Sequence, residues 1–301
     1  MSPVQGKRLW HATGLFLLVI AGFVAIMITS LTHGERRQSE IEVVSTLTVD
    51  YVLDPTDARW RASPFAADFD ITSSSSVVLR NGNFLYEIAH NSGDTAFSVV
   101  KVNGAPVDSL AIDNDDTLLT VAGGYFGMLD SNGDAVDAVP LPMEGMRLAR
   151  SALDGVIYLY GGDNSDYRLY SFADNGAFRV LVQLDEPIVA VADNQKSIYI
   201  ATGTRIFRLR NQHLAQLLKA SEGEIGESIV SVAATPEDDL VLFSTPSRTY
   251  GLRKGVAVSI VNNSGGALRL RGDKLYVLDP RRGLLYTLTP ANGGHFAEGN
   301  S

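Results

Sequence analysis

Leu118 to Gly123 reads LLTVAG, and the same six-residue pattern of β-branched, aromatic and small residues stands at Phe84 to Ala89 (FLYEIA), Val156 to Gly161 (VIYLYG), Ser197 to Thr202 (SIYIAT), Leu240 to Thr245 (LVLFST) and Lys274 to Asp279 (KLYVLD). In chain order the copies start 34, 38, 41, 43 and 34 residues apart. Each is too short for a helix and is bounded by turn residues, so it reads as a strand. A period of this length marks a repeat architecture, in which each unit buries its faces against its neighbours.

Working outward from those copies, a small or apolar strand precedes them, as at Ser109 to Asp113, Arg147 to Ser151, Ile188 to Ala192, Val230 to Ala234 and Ala267 to Arg271. The turns between are Asn81-Gly82, Asp115-Asp116, Asp154-Gly155, Asn194-Gln195, Glu237-Asp238 and Gly272-Asp273, residues that accept the positive φ of tight hairpins. Third strands follow at Phe97 to Val102, Tyr125 to Leu129, Arg168 to Ala173, Arg205 to Arg210, Thr249 to Arg253 and Leu284 to Thr289. Further turn pairs lead to fourth strands at Val136 to Leu141, Phe178 to Leu184, Leu214 to Leu218 and Val256 to Val261, with a shorter Ala105 to Val107 in the first unit. The sixth unit has no fourth strand, while Glu42 to Val49 precedes the first unit without a repeat of its own. Placed beside the sixth unit, this segment closes a ring and removes an open edge. The fold expected is all-β, a six-bladed β-propeller closed by an N-terminal strand and spanning residues 42–301.

This period and turn placement resemble the β-propeller superfamily, with its WD40-, NHL- and PQQ-type repeats, from about Glu42 to Pro290. The resemblance is one of architecture. No Trp-Asp dipeptide ends the third strands, and the Trp/Gly pattern of quinoprotein blades is missing.

Ahead of the repeats, Gly14 to Leu31 (GLFLLVIAGFVAIMITSL) is an apolar run of 18 residues, long enough for a helix to cross a bilayer. No clean small-residue cleavage site follows, so the reading is a signal anchor rather than a removed signal peptide. The expected organisation is a cytoplasmic segment over residues 1–8, a transmembrane helix over 9–33 and a link over 34–41. Lys7, Arg8 and the free amine outweigh Arg36 and Arg37, which Glu35 and Glu40 dilute, so the N-terminus is expected in the cytoplasm. The repeats would then lie in the periplasm of a bacterial inner-membrane protein, a source suggested by 19 Arg against 6 Lys.

Beyond residue 38 the chain carries 21 basic and 33 acidic residues, a balance of −12 that repels a phosphate backbone, so nucleic acid is not an expected partner. With no Cys there is no thiolate chemistry and no disulfide. The five His residues show no metal-ligand spacing. Ser98-Val99-Val100-Lys101 has the S-x-x-K spelling but falls in a strand, where residues three apart face opposite ways. Arg271-Gly272-Asp273 fills a hairpin turn. Asp130-Ser131-Asn132-Gly133-Asp134 places oxygens at alternate positions, yet lacks the Gly and Glu positions of a calcium loop. No catalytic residue, cofactor or metal site is expected.

What remains is surface. Asp54 to Asp70 has no repeat assignment and contains Arg59, Trp60 and Arg61, residue types enriched at interface hot spots, which are taken as partner-binding. First strands should line a central channel, with Asp113, Arg150 and Arg269 at its mouth. The leading expectation is a non-catalytic, membrane-anchored scaffold that docks envelope membrane proteins. The alternatives are a propeller hydrolase or lyase with a metal in the channel, resembling lactonase-like enzymes, and a glycan or small-ligand module using Tyr125, Tyr167 and Trp60.

Overall fold

The computed structural model describes residues 42–43, 47–53, 67–91, 94–153, 156–173, 176–220, 225–237 and 239–291. Residues 43–301 form one compact unit. Within it, six antiparallel sheets follow one another along the chain. Blade 1 consists of Ala67–Ile71, Val77–Asn81, Phe84–Asn91 and Asp94–Val100, and blade 2 of Val107–Ile112, Leu118–Ala122, Tyr125–Leu129 and Ala135–Pro140. Blade 3 runs Arg147–Arg150, Val156–Asp163, Asp166–Ala173 and Phe178–Leu184, and blade 4 runs Ile188–Asp193, Ile198–Thr202, Arg205–Arg210 and His213–Lys219. Blade 5 is Ser231–Ala234, Leu240–Ser244, Thr249–Arg253 and Val256–Asn262, and blade 6 is Ala267–Arg271, Lys274–Asp279 and Leu284–Pro290.

Leu47–Leu53 supplies the fourth strand of blade 6, pairing Val49 with Leu288 and Tyr51 with Tyr286. The closure by an N-terminal strand therefore stands, with a shift in bounds: Glu42–Val43 is a separate two-residue strand in the sheet of blade 5. The first strands touch in the cyclic order of blades 1, 2, 3, 4, 5, 6 and back to 1, so the ring is complete.

The inner strands are buried residue after residue, as in Ser231–Ala234 and from Leu275 to Asp279, because both faces of each sheet are covered by neighbouring blades. Phe69, Ile71, Val77 and Leu79 of blade 1 pack with Tyr276, Leu278 and Leu285 of blade 6 and with Val52 of the closing strand. Tyr199, Ala201 and Ile206 of blade 4 meet Val232, Phe243 and Tyr250 of blade 5, where the Phe243 and Tyr250 rings stack at 4.9 Å. Each sheet thus exchanges water for its neighbours on both faces, at roughly 25 cal/mol per Å² of apolar surface.

The first unit is displaced by one strand from its expected register. Phe84–Asn91 is the third strand of blade 1, not the second, and Asp94–Val100 is the fourth, not the third. The expected strand Ala105 to Val107 dissolves, Val107 opening the first strand of blade 2. Ala67–Ile71, left unassigned in the sequence, is the first strand of blade 1. With this register the second strands start at residues 77, 118, 156, 198, 240 and 274. The physical reason is that the Asn81-Gly82 turn, with Gly82 at φ 62°, suits any tight hairpin and carries no mark of which hairpin it closes. The expected turns at Asp115-Asp116, Asn194-Gln195 and Gly272-Asp273 hold, with Asp116 at φ 63°, Gln195 at φ 69° and Gly272 at φ 57°, while Asp154, Gly155 and Asp238 lie outside the described residues.

Gly14 to Leu31 and the rest of residues 1–41 lie outside the described residues, as do Arg59, Trp60 and Arg61. Among the described residues no helix is long and apolar enough to cross a membrane.

Candidate functional site

Side chains alternate along a strand, so Asp68 and Asp70 leave blade 1 on the face opposite Phe69 and Ile71 and point toward blade 2. Both are buried, Asp70 to 2% exposure. A carboxylate so placed must be met by donors. Asp70 accepts the Ile71 amide at 2.9 Å and the Ile112 amide of blade 2 at 2.8 Å. Asp68 accepts its neighbour's amide at 3.0 Å, the Ser109 hydroxyl at 3.2 Å and the Arg269 guanidinium of blade 6 at 3.1 Å. Ser109 Oγ in turn accepts the Leu148 amide of blade 3 at 3.1 Å, so one chain of bonds joins blades 6, 1, 2 and 3.

Blades 3 and 4 are stitched in the same manner. Asp193 accepts the Ala152 amide at 2.5 Å, the Tyr158 hydroxyl at 2.9 Å and the Ser151 hydroxyl at 3.0 Å. Burial raises the Asp193 carboxyl above the ordinary range against the pull of those donors, and burial together with the Asp193 charge raises the Tyr158 hydroxyl.

The first strands enclose a cavity of about 70 Å³, lined by Asp70, Arg150, Asp193 and Arg269 together with small and apolar residues such as Val191, Ala192, Ala233 and Ala234. Arg269 lies at its wall between blades 6 and 1, donating to the Leu268 carbonyl at 2.9 Å and to Asp68, with its guanidinium 5.5 Å from the centre of the Phe69 ring. Burial works against its charge, but Asp68, Asp70 and Tyr160 outweigh it and raise its pKa. Arg150 donates to the Leu270 carbonyl at 3.1 Å, and its Nη1 is buried without a partner among the described residues. Burial, with Arg271 and Arg269 nearby, lowers its pKa despite Asp70 and Asp193. At the mouth formed by the hairpins after the first strands, Arg271 of blade 6 pairs with Asp116 of blade 2 at 3.3 Å, and Asp116 also holds the Ser73 amide of blade 1 at 2.6 Å.

Of the three residues expected at the channel mouth, the structure brings Arg150 and Arg269 into the channel. Asp113 is not there as a channel group. Its Oδ1 accepts the Asp115 and Thr117 amides at 2.9 and 2.8 Å, so it shapes its own turn, as an Asp in such a hairpin commonly does. Sequence reading passed over Asp68, Asp70 and Asp193. A carboxylate inside an otherwise apolar strand, as in Ala67–Ile71 (ADFDI), is the signal that could have found the first two.

Tyr125 is exposed at the start of the third strand of blade 2 and Tyr167 is half-buried near the start of that of blade 3, while Trp60 lies outside the described residues. The Asp130 to Asp134 segment is a hairpin turn in which Asp130 Oδ1 accepts the Asn132 and Asp134 amides at 2.9 and 2.8 Å, turning its oxygens inward. Among the described residues no three His, Asp or Glu side chains come together so as to hold a metal ion.

The disc is similar to a gluconolactonase from Xanthomonas campestris at TM-score 0.62 and 12% identity, covering 82% of this chain and 91% of that one. It is also similar to the calcium-binding protein regucalcin from Agrobacterium tumefaciens, at TM-score 0.60 and 14% identity over 81% and 95% of the two chains. The Pan2 WD40 domain of Neurospora crassa aligns at TM-score 0.52 and 10% identity, covering 85% of this chain and all of that one. The chain is a β-propeller. At these identities the likeness is one of fold. No protein-family model matches the chain, and no curated protein matches it.

Proposed function

We propose that the protein is a membrane-tethered propeller that recognises a ligand or partner without transforming it. The observation that supports this reading most is the state of the channel carboxylates. Asp68, Asp70 and Asp193 spend their oxygens on backbone amides, hydroxyls and an arginine. A calcium site needs six to eight converging oxygens free to ligate, roughly 2.3–2.6 Å from the ion. The channel residues do not fit such an ion, because the groups that project into the cavity include Arg150 and Arg269. The tether rests on the 18 apolar residues Gly14 to Leu31. In this reading the propeller stands on the periplasmic side of a bacterial inner membrane, close to membrane-protein partners.

A second reading, lactone hydrolysis, is favoured by the gluconolactonase among the similar structures. One experiment separates the two. The full-length protein, purified in mild detergent with its co-purifying partners identified by mass spectrometry, is assayed for metal content and for lactone hydrolysis. Binding of a membrane partner without calcium and without turnover is the expected result. Turnover that depends on a bound metal, and that Asp70→Asn abolishes, would overturn the binding reading in favour of the hydrolase.

A further inference from the structure

The channel has spare donors and few spare acceptors. Each guanidinium presents several N–H groups in a planar fork. Those of Arg150, Arg269 and Arg271 make hydrogen bonds to the Leu270 carbonyl, the Leu268 carbonyl, Asp68 and Asp116. The remaining N–H groups include Arg150 Nη1, buried and without a partner. Among the described residues Arg150 makes no ion pair, whereas Arg269 is paired with Asp68 and Arg271 with Asp116. The other two carboxylates around the cavity are turned into the walls, Asp70 by the amides of Ile71 and Ile112, Asp193 by Ala152, Ser151 and Tyr158. A cavity of about 70 Å³ holds more than one water-sized sphere, so there is room for a small polar guest.

A guest suited to this lining is small, rich in acceptors and negatively charged. We propose that the channel binds a small oxyanion, a phosphate or carboxylate group, on the Arg150 guanidinium, with Arg269 and Arg271 adding to the field. Planar, charge-assisted bonds from arginine to such groups are the strong, directional kind. The anion answers the unpartnered Nη1 and offsets the crowding of three like charges, while Asp70 and Asp193 keep the affinity moderate. This inference rests on the reading of the disc as a binding module.

The test is calorimetric titration of the full-length protein in detergent with inorganic phosphate and, separately, with succinate, at constant ionic strength. Saturable binding of either is expected, and which of the two binds tells whether the guest is a phosphate or a carboxylate. Arg150→Gln should weaken it by about tenfold or more, and Arg150→Lys, which keeps charge but not the fork, by less. Arg168→Gln, at a half-buried pair with Asp166 on blade 3, should leave it unchanged. Absence of saturable binding by both anions, or binding unaltered by both Arg150 substitutions, would refute the site. If Arg150→Gln does not fold, the Arg150→Lys titration decides. Anion binding absent with lactone turnover also absent defeats this site alone, whereas metal-dependent turnover defeats the binding-module reading itself.

Discussion

The two sides of the channel wall obey the same strand geometry and carry opposite chemistry. Blades 4 and 5 present Val191, Ala192, Val232, Ala233 and Ala234, small side chains that let the first strands approach. Blades 1, 3 and 6 add Asp70, Arg150 and Arg269 to small and apolar residues, and with Asp68 and Arg271 behind them these groups bond to backbone amides, to carbonyls and, for Arg269 and Arg271, to carboxylates. The apolar side does what a repeat must do, which is pack. The charged side does more than packing requires, because a hydrophobic lining of similar volume is often as stable as a buried ion pair or more so. A one-sided departure from the repeat is therefore the place to look for function.

The largest expected effect breaks the charged side. Arg269→Met leaves Asp68 buried without its cation and should cost roughly 3 kcal/mol in chemical denaturation. Adding Asp68→Asn to that variant should recover much of the loss, and failure to recover it would mean that Arg269 acts through packing on Phe69.

A matched pair of hydroxyls sharpens the contrast. Ser109 on the charged side accepts the Leu148 amide at 3.1 Å and donates to Asp68, whereas Ser231 on the apolar side accepts the Leu268 amide at 3.0 Å. Ser109→Ala should cost about 2–3 kcal/mol and Ser231→Ala about 1–2 kcal/mol, since the first strands a buried carboxylate oxygen as well as an amide. Equal losses would show that the Ser109 hydroxyl adds nothing to what Arg269 and the Phe69 amide give Asp68.

The smallest effect concerns pH at Asp193, where the two sides meet. Its carboxyl is raised by burial, so its protonated form favours the fold. That contribution is complete below the unfolded pKa and fades as pH rises through the folded one. Asp193→Asn should gain on the wild type in thermal midpoint between about pH 4 and pH 7. A constant difference across that range would place the Asp193 pKa at its unfolded value.

Much of the site was legible before the structure. Arg150 and Arg269 came forward because they stand on the first strands RLARS and ALRLR, which were expected to line the channel. Asp68 and Asp70 stayed hidden because blade 1 was read one strand out of register, which left Ala67–Ile71 outside the repeat. Asp113 was overvalued because an Asp at a strand end serves a turn and a channel mouth equally well in sequence. The bonds inside the turn decide between them.

By itself the sequence determined the repeat, the number of blades, the closing N-terminal strand and the apolar run ahead of it. Those follow from local periodicity, turn chemistry and composition, which need no knowledge of what lies across the ring. Only the tertiary structure decided that Arg269 meets Asp68, about two hundred residues apart in the chain, that Asp70 binds the amide of Ile112, and that Arg150 is left with a donor to spare. Such pairings arise where first strands from different blades converge on one axis. Strand register, which local propensity fixes poorly, sets which side chains face one another there.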